Sequence, residues 1–151
     1  MARSKTNIIR DKMDDKKPKI IITIGKRKCA IARATLKEGK GRITINKTPL
    51  KNIRPQLSQL KILEPLALAG SIKDQIDINI TINGGGTFGQ ADAARQAISR
   101  GLIKWTNDEN LQKKITSFDR TMISYDPRRT EPRKPSRSKQ GARRKRQLSK
   151  R

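Results

Sequence analysis

A chain of 151 residues with 32% apolar residues can build one domain of roughly 100 residues plus unfolded extensions, but not a core along its whole length. Its 37 Lys and Arg against 13 acidic residues leave a net charge of +24, which repels itself until a polyanion neutralises it. With no histidine and a single cysteine, Cys29, the chain has no internal disulfide, no zinc ligand set and no imidazole base.

Nucleic acid is the polyanion that composition favours, because bound cations release counterions from its phosphates. A membrane partner would need an amphipathic anchor or two lipid signals. The start, Met1-Ala2-Arg3-Ser4-Lys5, is neither a signal peptide nor a myristoylation site, and no stretch has the length of a membrane span. A lone cysteine suits a reducing, cytosolic setting, and Cys29 reads as a small core hydrophobe.

In chain order, residues 1–18 are polar, mixed in charge and end at Pro18, which reads as a flexible lead-in. A globular domain over 19–126 follows. Lys19 to Ile24 is β-branched and predicts a strand, and Ile31 to Leu36 a second. Glu38-Gly39-Lys40-Gly41 is a turn, after which Arg42 to Asn46 alternates and is expected to close a hairpin. Pro55 opens a helix with Leu57, Leu60 and Leu63 on its apolar face, and Pro65 ends or kinks it before Gly70. Ile76, Ile78, Ile80 and Ile82 alternate with polar residues, the clearest strand in the chain.

A glycine loop, Asn83-Gly84-Gly85-Gly86, leads into a helix from about Thr87 to Lys104. Its apolar stripe is Ala91, Ala94, Ile98, Leu102 and Trp105, with Arg95, Arg100 and Lys104 off the stripe. Thr106-Asn107-Asp108-Glu109 matches a capping box and starts a last helix with Leu111, Ile115 and Phe118 inward. Three of the four aromatics, Phe88, Trp105, Phe118 and Tyr125, fall on or beside helix stripes, so packing is favoured over base stacking. Residues 127–151 hold twelve Lys/Arg and one acid, Glu131, too little apolar surface to fold alone. This segment reads as a long, disordered basic tail, while the remaining body still carries +13.

Gly84 to Gly89 is a literal G-x-G-x-x-G between strand and helix. A dinucleotide site fails on context: the strand has a polar face, a second helix follows the first, and no Gly-Lys-Ser/Thr is present. A tight turn without ligand is the plain alternative. The physical reading beyond it is that Gly84, Gly85 and Gly86 present backbone N–H groups at a helix start to RNA phosphate. Lys26, Arg27, Lys28 and Arg33 form a basic run that reads as a phosphate contact rather than a solvated face, and Arg95 and Arg100 join it. In the tail, Arg128, Arg129, Arg133, Lys134, Arg137, Arg143 and Arg144 are further RNA-binding candidates. No catalytic constellation, metal site, cofactor or small-molecule substrate is indicated.

Four stretches together carry a resemblance: Gly25 to Arg33, Gly41 to Asn46, Asn83 to Gly101, and the terminal Gln147 to Arg151. They resemble the small-subunit ribosomal protein S-nine family, and Leu66 to Gly70 and Asp126 to Pro132 resemble its archaeal and eukaryotic branch. The end, with Leu148 before Ser149, departs from the aromatic-containing close of that branch. The resemblance implies an α/β (α+β) domain of the ribosomal S-five domain-two-like type, with a mixed sheet packed against helices. It also implies a structural place in the head of the small subunit, on the 3′ major domain of ribosomal RNA and beside other head proteins. By the same resemblance the tail reaches toward the peptidyl-site tRNA, with Ser149, Lys150 and Arg151 nearest to it. The rivals on residues alone are a DNA- or RNA-compacting architectural protein and an enzyme using the glycine loop for nucleotide.

Overall fold

The computed structural model describes residues 19–130, so the lead-in 1–18 and the tail from Glu131 onward lie outside the described residues. Five strands form one mixed sheet in the order β1-β2-β5-β3-β4. They are β1 (Ile20–Arg27), β2 (Ala30–Glu38), β3 (Ile43–Ile45), β4 (Thr48–Pro49) and β5 (Ile76–Asn83). Three helices accompany them: α1 (Gln56–Ala69), α2 (Thr87–Thr106) and α3 (Glu109–Phe118). This is the α+β architecture with a mixed sheet that the sequence led us to expect.

The alternation of β2 and β5 does most of the sorting. Ala30, Ala32, Ala34 and Leu36 are fully buried, and Ile76, Ile78, Ile80 and Ile82 nearly so. The residues between them face away from the helices. Burying each isoleucine contributes about 1.5–3 kcal/mol. Alanines line the buried face of β2 because α2 lies very close to the sheet. A Cβ on Gly25 would overlap the carbonyl oxygen of Ala93 and sit 2.7 Å from the Ala97 nitrogen. A Cβ on Gly101 would sit 2.5 Å from Leu36. The stripe Ala91, Ala94, Ile98 and Leu102 is buried as its periodicity predicts, and Trp105 is half-buried under the Lys19 ammonium at 4.7 Å.

Several sequence expectations give way to long-range packing. The Arg42 to Asn46 segment does not close a hairpin on β2. β5 takes that edge of β2 antiparallel, and β3 pairs with β5 in parallel, Ile43 opposite Ile78 and Ile45 opposite Ile80. Two polar side chains fix this register. Asp77 accepts from the N–H groups of Lys40 (2.9 Å) and Arg42 (2.8 Å), and Asn46 accepts from Ile82 N–H (2.9 Å) while donating to its carbonyl (3.2 Å). The hairpin that does form there is β3–β4, turning at Asn46 and Lys47 with φ of 48° and 67°.

In α1 the buried residues are Ser58, Ile62, Pro65, Leu66 and Ala69, whereas Leu57, Leu60 and Leu63 face solvent. The helix is apolar nearly all round, so the face is chosen by packing on α2. Pro65 sits inside the helix without ending it, and Gly70 closes it at φ 62°. The cap of α3 is Asp108, accepting from Asn110 N–H at 2.9 Å, not Thr106. The Thr106 hydroxyl turns back to the Leu102 carbonyl at 3.0 Å, and Asn107 ends α2 in the left-handed region. Phe118 is exposed at the last turn of α3, and Phe88 and Tyr125 are exposed too, so of the four aromatics core packing holds for Trp105 alone. Cys29 is likewise exposed, because it occupies the β1–β2 turn rather than a strand.

Candidate nucleic-acid interface

The β1–β2 hairpin turns through Lys28, at φ 53°, and Cys29. Against this turn lies the glycine loop that follows β5. Gly84 and Gly85 have φ of 73° and 70°, in the region that favours glycine. Their missing side chains also leave room for the hairpin backbone. A Cβ on Gly84 would meet the Cys29 carbonyl oxygen at 2.6 Å, and one on Gly85 would meet Ala30 Cβ at 2.8 Å. Two motifs more than fifty residues apart in sequence thereby become one surface. Its rim carries the exposed Lys26 and Lys28, and its centre is the start of α2, capped by Gly86 with no side-chain hydrogen bond. The first helical N–H to find a carbonyl is that of Gln90, on Gly86 at 2.9 Å, so the N–H groups before it point outward. Their partial positive charge attracts anions. Phe88 is exposed beside them, with the Lys61 ammonium 5.9 Å from its ring.

The other basic candidates are placed differently. Arg33 is exposed on the face of the sheet away from the helices. Arg27 turns toward the helices and forms an ion pair with Asp126, with Asp92 at 3.8 Å. Arg95 is committed to Glu64 at 2.6 Å and Asp119 at 2.9 Å, its side chain only 11% exposed. Arg100 donates to the carbonyls of Ile123 (2.9 Å) and Ile24 (2.8 Å). Arg128 pairs with Asp126 at 2.7 Å through a largely exposed side chain. Arg129 donates to the Tyr125 hydroxyl, which raises its already high pKa. Arg133, Lys134, Arg137, Arg143, Arg144, Ser149, Lys150 and Arg151 lie outside the described residues.

What the sequence did not reveal is the strap from Asp119 to Arg128, and the acids and amide that hold it. Gln96, buried in α2, accepts from Lys26 N–H at 2.8 Å and donates to the Ser124 carbonyl at 2.7 Å. The Asp119 carboxyl is lowered in pKa: burial raises it, but the Thr121 hydroxyl and N–H and the Arg95 charge outweigh that. Asp126 is held far below the usual carboxylate range, first by the Arg128 side chain, then by Arg128 N–H at 2.9 Å, with Arg27 adding its charge. A polar cleft of about 250 Å³ opens among Lys26, Arg27, Lys61, Asp92, Arg95 and Asp126. The Asp126-Pro127-Arg128 triplet was a readable local signal, since an aspartate often binds a backbone N–H two residues on.

Among the described residues there is no cluster of three or more potential metal ligands, and no helix is long and apolar enough to cross a membrane. Fold and surface together define a small basic α+β domain whose exposed chemistry is backbone N–H and ammonium. The chain belongs to the ribosomal protein S9/S16 family, whose model matches residues 25–151. It is 47% identical over 131 residues to the small ribosomal subunit protein uS9 of Methanococcus maripaludis strain S2, a match covering 87% of this chain and 98% of that protein. The proteins of the same name from strains C5 and C7 match to the same extent. The family is structural and not enzymatic.

Proposed function

We propose that this chain is a structural constituent of the small ribosomal subunit, bound to ribosomal RNA in the head of the subunit. The observation that carries the proposal is the joined hairpin and glycine loop, where exposed lysines surround uncapped N–H groups of a helix start. Such a surface recognises phosphate position and shape rather than base sequence. The small ribosomal subunit proteins uS9 to which the chain is similar support the ribosomal assignment. Lys26, Lys28, Gly84, Gly85, Gly86 and Arg33 are the contacts assigned to the body, on the 3′ major domain. The arm beginning at Arg128 and Arg129 extends the contact through Arg133, Lys134, Arg137, Arg143 and Arg144, and ends with Ser149, Lys150 and Arg151 toward the peptidyl-site tRNA. Arg27, Arg95 and Arg100 act mainly within the fold. Neighbouring head proteins complete the surroundings.

Sedimentation of the native protein with and without ribonuclease tests the assignment. Co-migration with small subunits at about one copy each, lost on RNA digestion, is the expected result; migration with DNA or as free protein overturns it. For the body contacts, joint Lys26→Ala and Lys28→Ala should reduce the salt dependence of RNA binding by about one to two counterions. An unchanged slope would remove both lysines from the interface. Deleting Lys150 and Arg151 should weaken peptidyl-site tRNA binding in assembled subunits, and unchanged tRNA affinity would refute that role.

A further inference from the structure

The face of the sheet turned away from the helices is not the polar surface its alternation suggests. Ile20, Ile22 and Ile24 along β1 are 48%, 62% and 43% exposed, and Ile31 of β2 is 44% exposed. The register sets cations among them: Ile20 opposite Lys37, Ile24 opposite Arg33, and Ile31 opposite Lys26. The acid in this region, Asp77, turns its carboxylate to the N–H groups of Lys40 and Arg42. β1 is also the edge of the sheet. Its outer side is partly occupied, since Arg100 holds the Ile24 carbonyl and Gln96 the Lys26 N–H. Alternation places the backbone groups of Ile20 and Ile22 on that same outer side, where no described residue bonds them. Beyond the edge an apolar groove of about 500 Å³ continues between Ile22, Ile24, Ile103 and Ile123, with Arg100 and Lys104 at its rim.

We propose that this face and edge dock an extended segment of a neighbouring protein, one that alternates apolar with acidic residues. Contiguous exposed isoleucines call for apolar partners, and nucleic acid has none to offer at its phosphate surface. They also lack the planar rings on which a base would stack. The backbone groups of Ile20 and Ile22, bonded by no described residue, match an added strand, which binds by main-chain hydrogen bonds and fills alternate side-chain pockets. The surrounding cations not assigned to RNA select the charge of that segment: carboxylates placed between its apolar residues would meet Lys37, opposite Ile20, and Lys104 at the groove rim. The inference rests on the chain residing in an assembled particle with protein neighbours.

The test is to place a photo-cross-linking residue at Ile22 (Ile22→p-benzoylphenylalanine) in the full chain and irradiate cell lysate. The adduct is identified in whichever gradient fraction holds the protein. Failure to enter the small subunit is then seen as a fraction, and failure of the docking face as an adduct, so the two are distinguishable. The expected adduct is a peptide of another subunit protein with acidic residues flanking the cross-linked one. An adduct to RNA, to residues 1–18 of the same chain or to a second copy overturns the proposal, as does no adduct. Ile22→Asp, at a position too exposed to destabilise the fold, should reduce the yield of the same adduct captured from Ile24→p-benzoylphenylalanine by about tenfold, because it sets an acid against an acidic segment. An undiminished yield also overturns it.

Discussion

Helix α2 holds two neighbours by opposite means. Toward β1 its tightest contact is its own backbone, with Gly25 against Ala93 and Ala97 and no space for a single added carbon, flanked by the bonds of Gln96 to Lys26 N–H and Arg100 to the Ile24 carbonyl. Toward the strap from Asp119 to Arg128 it extends Arg95, Gln96 and Arg100, reaching one carboxylate and three carbonyls at 2.7–3.4 Å. The first contact is steric and all-or-none. The second is polar and graded, and its charged members, Arg95 and Arg100, respond to salt.

Gly25→Val breaks the comparison most severely. It forces the sheet off the helix and should cost about 3 kcal/mol or more, a large share of a domain's stability. Chemical denaturation of the purified chain reads this directly, and a loss below about 1 kcal/mol would mean that the close approach is not needed. Gln96→Ala comes next, because it strips partners from the Lys26 N–H and the Ser124 carbonyl in a buried place. The expected loss is about 1–3 kcal/mol by the same measurement, insensitive to salt. Arg95→Ala should cost about 1–2 kcal/mol, less than a fully buried pair because Glu64 and Asp119 are 33% and 29% exposed. Here the deficit should shrink as salt rises, and a salt-independent deficit would show that packing rather than charge is lost.

Asp126→Asn sharpens the comparison through pH. Pairing holds this carboxyl below its ordinary 3.8, so its contribution is whole above that value and is lost as pH falls through the folded pKa. The melting temperature of the variant should lie slightly below that of the parent from neutral pH to about pH 5, with the gap closing under ~pH 4. A gap that widens in acid would contradict the ion-pair account.

Much of the fold was legible because it is written in local period. The isoleucine alternation of β5 and the stripe from Ala91 to Leu102 required only a count of positions. The partner of β3 was not legible, since an alternating strand does not say which edge it joins; Asp77 and Asn46 decide that from more than thirty residues away. Likewise a helix apolar on every side, as α1 is, does not reveal which leucines meet α2. In the candidate site, composition located the cations but could not separate those facing outward from those already paired. Arg27 meets an acid nearly a hundred residues on. The glycine loop was visible as a motif, and its contact with the hairpin turn was not, for that contact depends on the absence of two side chains in three dimensions.

The clamp at Asp126 has a mechanical consequence. A pull arriving from the C-terminal side reaches Arg129, held on the Tyr125 hydroxyl within the strap, and then this carboxylate, from which Arg27 passes the load to β1. That strand is antiparallel to β2 over eight residue pairs, from Ile20 opposite Lys37 to Arg27 opposite Ala30. The chain leaving at Arg128 is therefore moored to the sheet itself, and tension applied there strains the foundation of the domain rather than peeling away its last turn.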